Sequence, residues 1–590
     1  MDAVREVDDF LVTALGALRV SDQRLDKFRE SGYKLGWSLP APSPDGVQRT
    51  LLVLANDSLP YSPPRIAVDP APAILDWPHL GPHGFLCLLP PEATIDASQP
   101  AKVVDRLLGD ATRLIKDCIS GRNSEDFRTE FQSYWSRDRG IVDIRVTSIL
   151  KPCGPTREIT VLRVQPEVIV GENPEVVENW FRRRYPAADS NKRPDMQPGA
   201  LVWLPEPLAP AEYPQTVAQI LTLVRMHTPP AERLLRDLAG SAPTAFTTIF
   251  GFRSTRGACF GSTTVRKPPK LSDGFRPGRV PIRLLQDRYL QATTPVSKAM
   301  VSRADHAWIH GRDTDPRQPR LIASKVAVLG CGSLGSSVAS LLAQAGVGNL
   351  LLVDPEKLEW PNISRHRLGA RSVGKSKAEE LVSALNADHP HLGSVKAVQD
   401  SVRPGSQELM VRLAGMDLLV STMGDWPAEC FLNDWQQSLA NPPPILYGWL
   451  EPRAAAAHAV LVRPGGGCLQ CGFDALGHPR LEVTRWPPQE RELQSPGCSA
   501  SFSPYGPAEL CWAHALVSSA AINTLVAATM DRPHRVWVGC PDRILASGGK
   551  LADSWLDTAA HPTAGNRVHA FPWPRNPGCS ACSGARSGIG

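Results

Sequence analysis

Residues 325–354 read KVAVLGCGSLGSSVASLLAQAGVGNLLLVD, and this stretch decides the fold of the C-terminal half. KVAVL is a short apolar strand. Gly330, Gly332 and Gly335 follow it as G-x-G-x-x-G, an amphipathic helix comes next, and a second strand, LLLVD, closes on Asp354. Strand, glycine turn, helix and strand make a βαβ unit, the building block of a doubly wound parallel sheet. Glycines let backbone N–H groups approach phosphate oxygens closely, and the helix N-terminus favours negative charge. An acidic side chain at the end of the next strand can accept both ribose hydroxyls. By itself this fingerprint serves dinucleotide oxidoreductases and nucleotide-activating enzymes equally.

The residues that follow, DPEKLEWPNISRHRLGARSVGKSKAEEL, separate the two chemistries. Hydride transfer does not call for a cluster of phosphate-directed side chains, whereas ATP chemistry does. Asn362, Arg365 and Lys377 are candidates to meet the triphosphate, and Asp425, in LLVSTMGDW, is a candidate to help hold Mg²⁺. Attack of a carboxylate on an α-phosphate brings two anions together, so charge neutralisation is the main thing a protein must supply. The expectation is ATP-dependent adenylation of a carboxylate.

These motifs resemble those of the MoeB/ThiF/ubiquitin-activating-enzyme superfamily over roughly residues 301–590. GCGSLG matches its glycine turn, Asp354 its ribose aspartate, N-I-S-R-H its N-x-x-R signature, Lys377 its lysine and Asp425 its metal-site aspartate. The resemblance implies a Rossmann-like adenylation domain that activates a protein C-terminus, and a homodimer in which an arginine crosses between subunits. Arg303 and Arg312, in SRADHAWIHGRD, are both candidates for it.

Cys468 and Cys471, in GGGCLQCGF, and Cys579 and Cys582, in NPGCSACSG, form two C-x-x-C knuckles. Four thiolates in two knuckles suit a closed tetrahedral zinc site; a redox dithiol is the alternative. Cys498 lies in SPGCSASFSPYGPAEL, a Gly/Ser/Pro loop ahead of a helix, where a thiol can be accessible and lowered in pKa. The superfamily's acyl-accepting cysteine lies between the metal pair and this helix, so the resemblance implies that role for Cys498. Cys511, inside the helix, is expected to be buried, and Cys540 is a weaker candidate.

Residues 1–135 read as helix, strands near KLGWSL, RTLLVLA and PRIAV, then a helix over Lys102–Ile119 with Ser98 as its N-cap. Cys87 lies in GFLCLL, downstream of LPYSPP. A P-x-x-P-P turn, a G-x-x-C-L segment and a following helix resemble the ubiquitin-conjugating fold, an α+β domain, with Cys87 at the thioester cysteine. The usual His-Pro-Asn is absent; Pro78-His79 and His83 stand in that region. A histidine or a backbone N–H has to stabilise the oxyanion instead. Residues 136–300 alternate strand-like runs (IVDIRVTSIL, EITVLRV, GALVWL) with helix-like ones (EVVENWFRRR, QTVAQILTLVRM) and read as an α/β middle domain without a catalytic constellation.

The pairing of the two ends resembles the activating–conjugating fusions of CBASS antiphage operons. That resemblance implies a cGAS/DncV-like nucleotidyltransferase as the source of the carboxylate and a target-protein lysine as its acceptor. The competing readings are a sulfur-carrier adenylyltransferase with a non-catalytic N-terminal module, and a nicotinamide oxidoreductase.

Composition bounds the rest. At 590 residues the chain is too long for one hydrophobic core. Its net charge of +5, from 64 basic and 59 acidic residues, does not argue for direct nucleic-acid binding. No apolar run reaches the roughly 18 residues of a membrane span. Asp2, Glu6, Asp8 and Asp9 interrupt the N-terminus, where Val4, Val7, Phe10, Leu11, Ala14, Leu15 and Leu18 repeat at helical spacing, so an amphipathic first helix is expected rather than a signal peptide. Thirteen scattered cysteines do not suit a secreted disulfide framework, and a cytoplasmic enzyme is expected.

Overall fold

Four antiparallel strands, β1 (Leu18–Arg19), β2 (Leu35–Pro40), β3 (Thr50–Ala55) and β4 (Arg65–Asp69), form the N-terminal sheet in that order. In β3 the run Leu51–Ala55 is buried on both faces, which is why TLLVLA carries no polar alternation. Leu52 and Leu54 pack with Leu25 and Phe28 of helix α2 (Asp22–Arg29), where α1 is Asp2–Asp8. On the other face, Leu51, Val53 and Ala55 meet α1 and α3 (Pro100–Ser120), whose Val104, Leu107, Ala111 and Ile115 make one helical stripe. Full burial of such side chains stabilises by roughly 1.5–3 kcal/mol each.

The computed structural model describes residues 2–583 other than 91–92, 94, 165, 187–193, 242–243, 270, 277–279, 292, 492, 495–500 and 528–531. Two N-terminal expectations need correction. The first helix does not run evenly to Leu18: α1 gives way to a π-turn at Asp9–Ala14, which shifts the register so that Val7 and Leu11 are buried while Leu18 is 72% exposed in β1. Ser98 does not cap α3, because its hydroxyl donates to Asp96 Oδ1 at 2.6 Å; Gln99 holds the cap position and Pro100 the first turn.

After α3 come two short helices, α4 (Asp126–Thr129) and α5 (Phe131–Trp135), then a closed barrel. Its strands are β5 (Arg145–Ser148), β6 (Arg157–Val164), β7 (Glu167–Gly171), β8 (Met196–Trp203), β9 (Ala245–Ser254), β10 (Gly257–Arg266) and β11 (Ser297–Arg303), in the order β10-β11-β5-β7-β6-β8-β9. All seven contribute to one core, including Val146, Ile159, Val170, Leu201, Ile249, Phe260 and Val301. Closure leaves no free sheet edge. The expected α/β middle segment is thus organised on a barrel, with helices Val217–His227, Ala231–Ser241 and Ile282–Leu290 against it.

Residues 1–174 and 195–302 group into one compact unit, and residues 175–194 and 303–590 into another. The stretches read from sequence as 1–135, 136–300 and 301–590 are distributed over these two. In the second unit, β12 (Lys325–Leu329) is the central one of five parallel strands in an eight-stranded sheet with β13 (Asn349–Val353), β14 (Ser394–Val398), β15 (Leu418–Ser421), β16 (Ile445–Leu450) and β17 (Ala456–Val462). Pairing is parallel through β14-β13-β12-β15-β16; β17 and the strands His534–Val538 and Arg567–Phe571 add an antiparallel edge. Helix Pro507–Val526 buries Leu510, Ala513, Leu516, Val517, Ala520 and Ala521 in the core that also holds Val338, Ala339 and Leu342 of helix Gly335–Gln344. Among the described residues no helix is long and apolar enough to cross a membrane.

Candidate active site

Strand order reverses at β12, which has β13 on one side and β15 on the other, and ligands of open α/β sheets bind beyond the strand ends at such a switch point. A cavity of about 470 Å³ opens there, lined by Gly330, Gly332, Asp354, Glu356, Arg403 and Asp425 among others. The three glycines do different work. Gly330 has φ 83°, and a Cβ on it would lie 2.9 Å from Met423 Cα. A Cβ on Gly335 would lie 1.8 Å from the Gly330 carbonyl oxygen. A Cβ on Gly332 would meet nothing within 4 Å, so its lack of a side chain leaves room in the cavity.

Asp354 is nearly buried. Its Oδ2 accepts the Cys331 N–H at 2.7 Å and its Oδ1 accepts the Glu356 N–H at 2.8 Å, which fixes the carboxylate across the glycine turn. Lys377 is buried too, its ammonium paired with Glu356. Arg365 lies over the Tyr505 ring at 5.1 Å, and Asn362 Oδ1 accepts the Glu359 N–H at 3.0 Å. Neither Asn362, Arg365 nor Lys377 is among the residues lining the cavity, whereas Asp425 lies on it, exposed, accepting the Ala428 N–H at 3.2 Å as a helix N-cap. Arg303 is 7% exposed and ion-paired with both Asp305 and Asp313, while Arg312 is exposed, with its guanidinium 5.6 Å from the Trp308 ring.

The four knuckle cysteines converge. Cys468 Sγ lies 3.8 Å from Cys471 Sγ and 3.5 Å from Cys579 Sγ, and Cys471 Sγ lies 3.4 Å from Cys582 Sγ. Tetrahedral thiolates about 2.3 Å from a metal stand roughly 3.8 Å apart, so this donor set fits a metal ion. Asn576 donates its backbone N–H to Cys471 Sγ at 3.3 Å, and Trp573 Nε1 donates to the Cys468 carbonyl at 2.9 Å, which fastens the C-terminal stretch to the knuckle.

Cys498 lies outside the described residues. Cys511 is exposed, against expectation, because it stands on the solvent side of helix Pro507–Val526 while Leu510 and Ala513 face the core. Cys540 is half-buried and lines a separate cavity of about 160 Å³ with Trp486, Trp512, Trp537 and Arg543.

In the other unit Cys87 is exposed at the end of a short flap. Leu86 donates its N–H to the Ile66 carbonyl at 2.8 Å and Cys87 to the His79 carbonyl at 2.9 Å. Gly84 makes the flap possible: it has φ 81°, and a Cβ there would lie 2.3 Å from the Val68 carbonyl oxygen. His79, whose carbonyl accepts the Cys87 N–H, also favours the thiolate and holds the Cys87 thiol below the ordinary range. His79 itself is pushed up to about 9, first by Cys87 and then by Asp126 and Glu130, against the opposing effect of burial.

Residues 309–529 match the ThiF family and residues 13–141 match the prokaryotic E2 family B. The chain joins a ThiF-family adenylation domain to a prokaryotic E2 domain. It is 26% identical over 433 residues to the ATP-dependent ubiquitin transferase-like protein Cap2 of Pseudomonas aeruginosa, covering 70% of this chain and 73% of that one. It is 30% identical over 163 residues to the SAMP-activating enzyme E1 of Haloferax volcanii, covering 28% of this chain and 58% of that one. Among solved structures, Escherichia coli MccB with ATP aligns over 72% of this chain and 97% of its own, at 16% identity and a TM-score of 0.32. The two domains make the protein an enzyme of the adenylyltransferase and conjugating type.

Several site residues escaped the sequence reading. In the ThiF domain Glu356 pairs with Lys377, and Arg403 lines the cavity from the loop after β14. Thr422 Oγ1 donates to the Gly330 carbonyl at 2.8 Å and ties β15 to the glycine turn. The rule that ligands meet the C-terminal ends of parallel strands could have pointed to Arg403 and Thr422. In the E2 domain the sequence offers His79 and His83 as histidines that could stabilise the oxyanion, whereas no local motif points to Asp126 or Glu130.

Proposed function

We propose that the chain is an ATP-dependent protein-conjugating enzyme that adenylates the C-terminal carboxylate of a partner protein, carries it as a thioester on Cys498 and then Cys87, and joins it to a target lysine. The observation that carries this reading is the exposed Cys87 thiol, lowered by His79, in a chain that also holds a nucleotide cavity of the adenylating type. A cysteine with that environment has a use in acyl transfer and none in adenylation alone.

In the first step the glycine turn cradles phosphate oxygens, Asp354 holds the ribose hydroxyls, and Asn362, Arg365 and Lys377 turn to the triphosphate. Lys377 exchanges Glu356 for phosphate oxygens, and Arg365 leaves the Tyr505 face. Mg²⁺, held with the help of Asp425, would neutralise charge on the triphosphate. The partner's carboxylate oxygen attacks the α-phosphorus and pyrophosphate leaves. Thiolate attack by Cys498 then releases AMP, and transfer to Cys87 preserves the activated acyl group for the amine.

A homodimer on the ThiF domains suits this scheme. Arg312 is then the arginine that reaches across, because Arg303 is committed to Asp305 and Asp313 in its own chain. Cys468, Cys471, Cys579 and Cys582 hold a structural Zn²⁺. The resemblance to Cap2 proteins supports a cGAS/DncV-like nucleotidyltransferase as the partner and antiphage defence as the setting, in the cytoplasm.

The test combines ATP–pyrophosphate exchange with non-reducing gels of the chain, ATP, Mg²⁺ and the candidate nucleotidyltransferase. Cys498→Ala should keep exchange and lose all thiol-sensitive adducts. Cys87→Ala should keep the first adduct and lose conjugation to lysine. Conjugation retained by Cys87→Ala would overturn the relay.

A further inference from the structure

Asp126, Glu130 and Tyr134 follow one another at four-residue spacing along α4 and α5, and all three converge on His79. Asp126 Oδ2 lies 3.0 Å from His79 Nε2, and Glu130 Oε2 lies 3.7 Å from His79 Nδ1. Tyr134 Oη accepts the backbone N–H of His79 at 2.9 Å and donates to Glu130 Oε2 at 3.4 Å. His79 has φ 59°, a left-handed conformation that a non-glycine residue keeps only where its surroundings hold it. Its carbonyl accepts the Cys87 N–H at 2.9 Å, so the residue these three groups hold is the one that also holds the Cys87 backbone.

The helices that bring these carboxylates are seated on the barrel. Phe131 and Trp135 are fully buried, and Trp135 Nε1 donates to the Ala299 carbonyl in β11 at 3.1 Å. Gly261 of β10 leaves space for both rings, since a Cβ there would lie 3.0 Å from Phe131 Cζ and from Trp135 Cε2. Just beyond α5, Asp138 pairs with the fully buried Lys298 of β11, whose ammonium also donates to Gln215 Oε1 at 2.8 Å.

We propose that Asp126 and Glu130 are positioning residues that hold His79 as an imidazolium against Cys87, completing a carboxylate–imidazolium–thiolate site where the E2 asparagine is missing. The inference rests on Cys87 being the acyl carrier. In transthiolation the Cys87 thiolate forms the new C–S bond as the donor's C–S bond breaks and the donor sulfur leaves as thiolate. When a neutral amine attacks, the C–N bond forms, the C–S bond to Cys87 breaks with its electron pair returning to sulfur, and the surplus amine proton passes to water. His79 keeps its proton through both steps and supplies positive charge beside the sulfur.

Other groups face the pair. Arg65 favours the thiolate and Glu130 opposes it. Arg256, on the loop between β9 and β10, lies 3.4 Å from Glu130 Oε1. Cys118 of α3 points its thiol at the Pro78 carbonyl at 3.6 Å, and burial pushes its thiol up so that it stays neutral. Tyr134 is likewise held protonated by burial. The net effect raises His79 and lowers Cys87, the arrangement an ion pair requires.

The experiment is alkylation of Cys87 by iodoacetamide in the full chain across pH, read by peptide mass at that residue. Wild type should show two steps, one below the ordinary thiol range near 8.5 and one near about 9 as His79 loses its proton. Asp126→Asn and Glu130→Gln should each move the upper step down by about one pH unit. His79→Gln should leave a single step at the ordinary thiol value. An upper step unmoved in both carboxylate variants would overturn the positioning role, and a single ordinary step in wild type would overturn the ion pair. Iodoacetamide needs neither ATP nor a partner, so a Cys87→Ala enzyme that still conjugates would refute the relay and leave this titration standing.

Discussion

Gly335 stands so close to Gly330 that a Cβ on the first would come within 1.8 Å of the carbonyl oxygen of the second, whereas a Cβ on Gly332, between them, would touch nothing. One motif therefore contains a packing glycine and a glycine that opens onto the cavity. Gly335→Ala should destabilise the ThiF domain by about 2 kcal/mol or more. Gly332→Ala should melt within a degree or two of wild type, as exposed substitutions do, and lose at least about tenfold in ATP–pyrophosphate exchange, the cost of roughly one misplaced phosphate contact. Equal melting shifts for the two variants would refute the division of labour.

Lys377 should matter for chemistry more than for stability. Its ammonium is buried against Glu356, which is itself two-thirds exposed at the cavity. Lys377→Met should reduce pyrophosphate exchange by about a hundredfold or more, as removal of a charge-stabilising donor does. Glu356→Gln frees the ammonium and should retain most of the activity. A Lys377→Met enzyme with near-normal exchange would remove the residue from the site.

Glu429 gives the ThiF domain a pH signature. Burial raises its carboxyl from the ordinary 4.5 to about 7, opposed by the Ser421 hydroxyl, which donates to Oε1 at 2.9 Å. A folded pKa above the unfolded value gives a contribution to stability that is complete below about pH 4.5 and is lost as pH rises through about 7. Glu429→Gln, neutral at every pH, should match wild type near pH 5 and exceed it by up to about 3 kcal/mol at pH 8. Thermal melting at the two pH values checks this, and a pH-independent difference would contradict it.

The Lys298–Asp138 pair should be costly to break on one side. Lys298→Met leaves Asp138 buried without its partner, for which a loss of about 3–5 kcal/mol is expected. Lys298→Met combined with Asp138→Leu should recover much of that loss, measurable as a double-mutant cycle in melting temperature. No recovery would mean that the pair matters for more than mutual charge.

Removal of metal should act on the C-terminal stretch. Chelation, or Cys579→Ser, should release about one zinc per chain and expose the segment after Phe571 to protease, because Trp573 and Asn576 hydrogen-bond to the knuckle backbone and to Cys471. A chain purified without metal and equally resistant to protease would argue for a dithiol pair instead.

How much of this was legible depended on how local the signal was. The ATP-side motif is read directly, because the turn at Gly330, the helix after Gly335 and Asp354 at the end of β13 all lie within one βαβ unit. The knuckles are equally plain, since spacing alone nominates Cys468, Cys471, Cys579 and Cys582. The barrel was not legible: β8 pairs in parallel with β9 and β5 with β7, and closure depends on partners that no short window contains. The charge partners of His79 are not legible for the same reason, because Asp126 is 47 residues from His79 and reaches it only after α3 has turned the chain back. Periodicity misjudged the first helix, where a π-turn breaks the 3.6-residue repeat, and Cys511, where membership of a buried helix does not say which way one side chain points.

The seating of α4 and α5 on the barrel bears on how such a protein can be taken apart. The E2 match ends at residue 141, before the first barrel strand. A fragment cut there would keep Cys87, His79 and both carboxylates in its sequence, yet Trp135 and Asp138 would hang without Ala299 and Lys298 to hold them. A transplantable piece must therefore reach through β11, and a domain swap made at the nominal boundary would transfer the thiol while leaving behind the barrel strands that seat α4 and α5.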